Sequence, residues 1–423
     1  MKHLLRISII IAFFVSQTNA FGQNTKNVLF LGNSYTAANS LGTILESLAL
    51  SANDTLTYFA NTPGGYTLQG HSTNPTSQAQ IQQGNWDYVV LQEQSQIPSW
   101  PIAQVVSTMF PYADSLCNQI RQANPCTKPL FFMTWGRKNG DSYNCPNWPP
   151  VCTYEGMDSL LSLRYRMAAD SNDAYVSPVG AVWHYIRDNH NKINLYSSDG
   201  SHPSLAGSYA AACTFYAIIF EKDPTLITHN YGLDATKALQ IRQAAKIIAF
   251  DSLAKWNVGS YLPTASFTSN FSNDTVHFEN NSQYADSYLW QFGDGNTSNL
   301  FEPSHYYTQT GSYTVILESS KCDKNDTTQH SVQVIINQII PLKNKLIIKV
   351  FPNPAQNIVN IQFDDIQQLS NMGIYSISGM LIKEFGTKSS KQFQFNIEEL
   401  PLGIYLLKFT NKEQEYQYKI IKQ

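Results

Sequence analysis

The chain has 423 residues, 43% of them hydrophobic, enough for two or three packed domains and too many for wholesale disorder. Charged residues make up only 14% and the net charge is −3, so the composition points to neither nucleic acid nor an anionic membrane as a partner. Polarity comes instead from Asn, Ser, Thr and Gln together with 24 Tyr, a mix common on extracellular and carbohydrate-facing surfaces.

The first element in chain order is an export signal. Lys2, His3 and Arg6 precede an apolar stretch from Ile9 to Val15, and the small residues Thr18 and Ala20 precede a cleavage point after Ala20. That stretch is well short of the roughly 20 residues that span a bilayer, and no later segment is apolar enough over that length. Residues 1–20 therefore read as a secretory signal peptide, and the mature protein as exported with no membrane span. Six cysteines then meet an oxidising compartment. Cys145 and Cys152 flank a Pro-rich loop that a short disulfide would staple, and Cys117 and Cys126 are placed to close a second small loop. Cys213 lies in an apolar helical pattern and Cys322 in a different domain, so both read as free thiols. With no CxxC spacing, Cys/His cluster or HExxH, no metal or other cofactor is expected.

Residues 24–256 alternate apolar runs of strand length, at 28–31, 88–91 and 130–134, with helical spacing at 41–50, 102–120, 157–169, 204–220 and 235–253. Strands alternating with helices predict an α/β fold, a parallel sheet covered on both faces in three α/β/α layers. Gly32-Asn33-Ser34 follows the first strand directly, so Ser34 stands at a carboxyl end, where open α/β sheets bind ligands. Late in the same domain, Asp199 and His202 are three residues apart, a spacing that lets the carboxylate orient the imidazole as a general base. Either feature alone is an ordinary turn or a chance pairing. Together, in this order, they specify a nucleophile and its base.

The ordered motifs resemble the SGNH (GDSL-like) hydrolase family along the whole first domain. Gly32-Asn33-Ser34 stands where the family has Gly-Asp-Ser, and Gly64-Gly65-Tyr66-Thr67 stands at its second block. Residues 87–96, Asp-Tyr-Val-Val-Leu-Gln-Glu-Gln-Ser-Gln, stand at the third block, and Asp199 to His202 at the fifth. The resemblance implies Ser34 as nucleophile, His202 as general base, Asp199 as its orienter and Gly65 as an oxyanion-hole N–H. Two departures stand out. Asn33 replaces the usual Asp, and the third block lacks Gly-x-Asn-Asp, so either Gln92 or Gln96 has to supply the side-chain amide of the oxyanion hole. Losing one such donor typically costs about 10²–10³ in rate. The absence of a G-x-S-x-G elbow argues against the α/β-hydrolase alternative. Trp135 and Arg137, just past an apolar strand, are expected to line the substrate pocket. His184 and His190 read as structural histidines, and Trp86 and Trp183 as core.

Helical periodicity stops near 258–263. Residues 263–337 carry short alternating runs at 275–278, 287–292 and 312–318 between Asn/Asp/Gly/Ser turns, as in a small β-sandwich. The segments Trp290-Gln291-Phe292-Gly293-Asp294-Gly295, His305-Tyr306-Tyr307 and Gly311-Ser312-Tyr313-Thr314-Val315 closely resemble a PKD domain, a module used as a spacer or as a carbohydrate or protein contact; the spacer reading is favoured here. Residues 345–423 are again strand-like, at 358–363, 372–376, 392–397 and 404–409. Phe351-Pro352-Asn353-Pro354, Ile377-Ser378-Gly379 and Leu402-Gly403-Ile404-Tyr405 resemble the C-terminal sorting domain of the type IX secretion system, which implies the outer-membrane secretion machinery as a partner. The alternative for this piece is a second Ig-like sandwich without a sorting role. The whole therefore reads as a secreted serine esterase, plausibly acting on an acylated polysaccharide or small molecule. The alternative is a surface-binding protein whose hydrolase-like domain is inactive.

Overall fold

The computed structural model describes residues 24–272, 275–335, 348–412 and 414–423, so the signal-peptide segment lies outside the described residues. Five strands form the first sheet: β1 (Thr25–Leu31), β2 (Thr55–Asn61), β3 (Tyr88–Leu91), β4 (Lys128–Phe132) and β5 (Tyr175–Ser177). All pairings are parallel, in the order β2-β1-β3-β4-β5. The chain reverses its direction of winding between β1 and β3, the kind of switch point at whose carboxyl ends open α/β sheets bind ligands. Val28 to Leu31, Tyr88 to Leu91 and Leu130 to Phe132 are buried without alternation, as a sheet covered on both faces requires.

Ten helices surround this sheet: α1 (Ser34–Ala37), α2 (Leu41–Ser51), α3 (Leu68–Thr73), α4 (Pro75–Ile81), α5 (Ile102–Thr108), α6 (Phe110–Ala123), α7 (Tyr154–Asp170), α8 (Val179–Asn189), α9 (Leu205–Phe220) and α10 (Ala235–Ile248). The helix expected over 102–120 is two helices. Pro111 lies in the first turn of α6, where its missing N–H costs nothing, and the chain breaks at Met109. Helix α9 is buried from Gly207 to Phe220, which makes it the central buttress; its apolar residues leave no polar face to show in the periodicity. Strands β2 and β5 escaped the sequence reading. β2 is an edge strand with only Leu56 buried and β5 has only three residues.

Seven strands follow: β6 (Phe267–Ser272), β7 (Thr275–Asn280), β8 (Ser287–Gln291), β9 (Thr297–Ser298), β10 (Ser304–Tyr306), β11 (Gly311–Lys321) and β12 (Lys324–Val334). They form two antiparallel sheets, β10-β7-β6 and β12-β11-β8-β9. Phe267, Phe278, Trp290 and Phe292 pack between them. This sandwich and the α/β domain form one compact unit that ends at Ile335. A disulfide from Cys126, just before β4, to Cys322, at the β11–β12 turn, joins the two. The pairing of Cys117 with Cys126 is thus corrected: Cys117 points from α6 into the core, and Cys126 faces the sandwich instead. Cys322 is likewise not free. Cys145–Cys152 forms as expected, and Cys117 and Cys213 are buried free thiols.

The second unit starts at Ile336 and contains β13 (Ile348–Phe351), β14 (Ile358–Ser376), β15 (Leu381–Asn396), β16 (Gly403–Asn411) and β17 (Gln414–Lys422). The runs expected at 358–363 and 372–376 are the two ends of β14, which passes from β13 to β16 as partner through register shifts. Val359, Ile361, Ile374, Phe393, Leu407 and Phe409 centre its separate core.

Candidate active site

The nucleophile turn begins where β1 ends. A Cβ on Gly32 would lie 2.4 Å from Thr36 Oγ1 and 2.8 Å from Gln92 Oε1, so only glycine lets the turn close onto the end of β3. Asn33 caps α1 by accepting the Tyr35 N–H at 3.1 Å. Its own N–H donates to Gln92 Oε1 at 3.0 Å, its Nδ2 to the Tyr66 carbonyl at 2.9 Å, and its Oδ1 also accepts from Gln92 Nε2 at 2.8 Å. Gln92 further donates to the Glu93 carbonyl at 2.7 Å and accepts the Thr36 hydroxyl at 2.8 Å. Beneath the turn, His71 Nε2 lies 2.8 Å from the Gly32 carbonyl, and Nδ1 lies 2.8 Å from Ser77 Oγ. A carbonyl only accepts, so Nε2 carries the proton and Nδ1 accepts from Ser77. Burial lowers the His71 pKa, which keeps this ring neutral.

The Asp199–His202 loop comes from the far end of the domain, before α9. Gly200 supplies the positive φ of 68° that its turn requires. His202 Nε2 lies 2.9 Å from Ser34 Oγ, and His202 Nδ1 lies 2.5 Å from Asp199 Oδ2. Asp199 Oδ1 accepts the N–H groups of Ser201 at 2.9 Å and His202 at 3.0 Å. Partial burial works the other way, but these bonds prevail and hold the Asp199 carboxyl below its ordinary range. The side chains of His202 and Asp199 are 40% and 47% exposed, so burial does not fix their geometry.

Ser34 is the first residue of α1, where a backbone N–H has no intrahelical acceptor. Gly65 is exposed with φ of 67°, and the Asn33–Tyr66 bond ties its turn to the nucleophile. The two glutamines differ. Gln92 is fully buried and both of its amide hydrogens are committed, to Asn33 and to Glu93, so it is a structural clamp and not an oxyanion donor. Gln96 directs Nε2 to Asp141 at 2.7 Å, and Gln94 donates to Gln96 Oε1 at 3.2 Å.

Trp135 is corrected as well. It is fully buried, stacked on Tyr35 at 4.9 Å and on Trp183 at 3.7 Å, and presents no surface to a substrate. Arg137 is half-buried, with Nη1 3.2 Å from Asp141 and a buried Nε that has no partner among the described residues. His184 is held between Asp158 at 2.9 Å and Asp188 at 3.3 Å, and Asp158 also accepts the Gly136 N–H. The sequence reading passed over Tyr35, whose hydroxyl lies 2.5 Å from Ser201 Oγ and whose ring packs edge-on against His202 at 5.2 Å. Its position directly after the nucleophile was the only available signal.

Among known families, residues 263–336 match the PKD domain and residues 349–423 match the secretion system C-terminal sorting domain. The chain carries a type IX sorting domain. With that sorting domain it is exported, either released or held at the cell surface. No helix of the described residues is long and apolar enough to cross a membrane. No curated protein matches the chain. Among solved structures, a DUF4886 family protein from Bacteroides uniformis is similar over 55% of this chain and 95% of its own, at 19% identity and a TM-score of 0.47. A candidate SGNH hydrolase from Slackia heliotrinireducens is similar over 45% of this chain and 97% of its own, at 26% identity and a TM-score of 0.37. The PKD1 domain of Vibrio anguillarum Epp is similar over 17% of this chain and 93% of its own, at 33% identity and a TM-score of 0.17.

Proposed function

We propose that the first domain, residues 24–256, is a serine esterase that removes an acyl group, preferentially acetyl, from a carbohydrate or small-molecule alcohol. One observation carries the reading: the continuous chain from Ser34 Oγ through His202 to Asp199, with links of 2.9 and 2.5 Å, at the switch point of a parallel sheet. Ser34 Oγ attacks the ester carbonyl carbon while His202 Nε2 takes its proton. Asp199 stabilises the imidazolium that results. The oxyanion is held by the N–H groups of Ser34 and Gly65. Gln92 has no amide hydrogen left, whereas Gln94 and Gln96 each have one uncommitted among the described residues, so the third donor falls to one of those two. The tetrahedral intermediate collapses, the alcohol departs with the proton from His202, and an acyl-Ser34 ester remains. Water, deprotonated by His202, then attacks that ester and releases the carboxylic acid.

The test is p-nitrophenyl acetate hydrolysis by the full mature chain beside Ser34→Ala. Hydrolysis by the wild type that the variant lacks supports the reading, and equal rates in the two overturn it. The commitment of Gln92 favours one second reading, a surface-binding protein with an inactive hydrolase-like domain. Glycan binding with no hydrolysis and no labelling of Ser34 by a fluorophosphonate would select it.

A further inference from the structure

The candidate general base and its carboxylate are half exposed, yet they meet Ser34 at hydrogen-bond distance. What fixes them is the three residues interleaved with them. The Gly200 carbonyl accepts the Lys138 N–H at 2.8 Å. The Ser201 carbonyl accepts the Trp135 indole N–H at 3.1 Å, and Ser201 Oγ lies 2.5 Å from the Tyr35 hydroxyl. The Pro203 carbonyl accepts from Asn39 Nδ2 at 3.2 Å. Tyr35 and Asn39 belong to the same short stretch as Ser34. Tyr35 is itself 3% exposed, stacked face to face on Trp135, which is stacked in turn on Trp183. Trp183 is hemmed in by Gly207, where a Cβ would come within 2.5 Å of the indole.

We propose that Tyr35 is a positioning residue: clamped on the Trp135–Trp183 stack, its hydroxyl grips Ser201 and so sets the distance between Ser34 and His202. The inference rests on the esterase reading of the site. The nucleophile segment thus carries its own gauge for the base loop, and the two halves of the site, 168 residues apart in sequence, are aligned by the Tyr35–Ser201 bond beside the Ser34–His202 contact itself and the Asn39–Pro203 bond. Burial raises the Tyr35 pKa, so the phenol keeps its proton across the working range. Ser95 and Arg137 lie beside the same hydroxyl and complete its polar surroundings.

The test compares Tyr35→Phe, Ser201→Ala and the double variant in the full mature chain. Tyr35→Phe removes one oxygen and leaves the ring stack, so the fold is kept, and a melting temperature near that of the wild type verifies it. A misplacement of about 1 Å is enough to cost up to roughly 10²-fold in rate. Each single variant is expected to lower kcat about tenfold on p-nitrophenyl acetate with KM little changed. The double variant is expected to be no slower than Tyr35→Phe, since Ser201→Ala breaks a bond that Tyr35→Phe already removes. A second readout does not depend on turnover: the downfield proton resonance of His202 Nδ1–H, hydrogen-bonded to Asp199, is expected to broaden in both variants. Multiplicative losses in the double variant, or a wild-type kcat and resonance in Tyr35→Phe, would overturn the clamp. Should wild type and Ser34→Ala hydrolyse esters equally, the esterase reading fails alone, and the imidazole resonance still decides on the clamp.

Discussion

The two halves of the candidate site reach the same precision by opposite means. Around Ser34, side chains are buried and every polar atom of Asn33 has a partner; the turn is held by a closed lattice of Asn33, Gln92, Thr36 and His71. Around His202 the side chains stand in solvent, and the backbone between them is pinned from below. Burying polar groups makes each unmade bond expensive, so damage to the first half falls on folding as well as on chemistry. In the second half a bond can be lost to water cheaply, and damage should fall on chemistry alone.

Substitutions in each half put that contrast at risk. The largest effect is expected for Ser34→Ala, whose half-buried hydroxyl bonds His202 and stands outside the buried lattice: a loss of about 10⁴-fold or more in kcat with an unchanged melting temperature, measured by ester hydrolysis and calorimetry. Asp199→Asn should cost about 10²–10⁴ in kcat and move the melting temperature by less than about 2 °C, because both groups are exposed. A large drop in stability there would break the contrast. Gln92→Ala should do the reverse. It leaves the Asn33 N–H and the Thr36 hydroxyl buried without an acceptor, at about 1–3 kcal/mol each, which lowers the melting temperature on the order of 10 °C. Asn33→Asp sharpens the comparison through pH. A carboxylate would face the Tyr66 carbonyl where an N–H now donates at 2.9 Å, and only its protonated form makes that contact. Its kcat/KM relative to wild type should therefore climb as pH falls, which paired pH–rate profiles would reveal.

The smallest effect concerns Glu93, behind the same lattice. Burial pushes its carboxyl up to about 8, against the N–H groups of Gln94 and Leu68 that pull it down. A folded-state pKa above the unfolded one means the native protein holds the extra proton between the two values. This group's contribution is therefore most favourable below the unfolded pKa and shrinks as pH rises towards about 8. Glu93→Gln should flatten the decline of melting temperature between about pH 5 and pH 8. A variant that declines as steeply as the wild type would dismiss the effect.

How far the sequence carried follows the same contrast. The strand–helix alternation, Ser34 and the Asp199–His202 pair were legible because each is a local pattern of residue type and spacing. The glutamines were not, because Gln92 and Gln96 have the same chemistry and differ only in what surrounds their amides. Trp135 misled for a related reason: a residue at the carboxyl end of a strand can point to the crevice or into the core, and here two stacked rings claim it. Tyr35 gave no signal, since its partner lies 166 residues away. The Cys126–Cys322 bridge spans 196 residues, beyond any reading of loops from spacing.

That bridge also decides how the protein bears load. A pull on the C-terminal end travels back along β12 to Lys324 and, at Cys322, crosses the sulfur bridge into the start of β4. Residues 127–321 lie inside a covalently closed ring and are bypassed by the covalent path between the chain's two ends. The strain therefore enters at the amino-terminal edge of the parallel sheet, while Ser34 sits at the opposite, carboxyl edge. A chain tethered by its tail could be tugged with the covalent path leaving the sandwich at the end of β12 and bypassing the His202 loop.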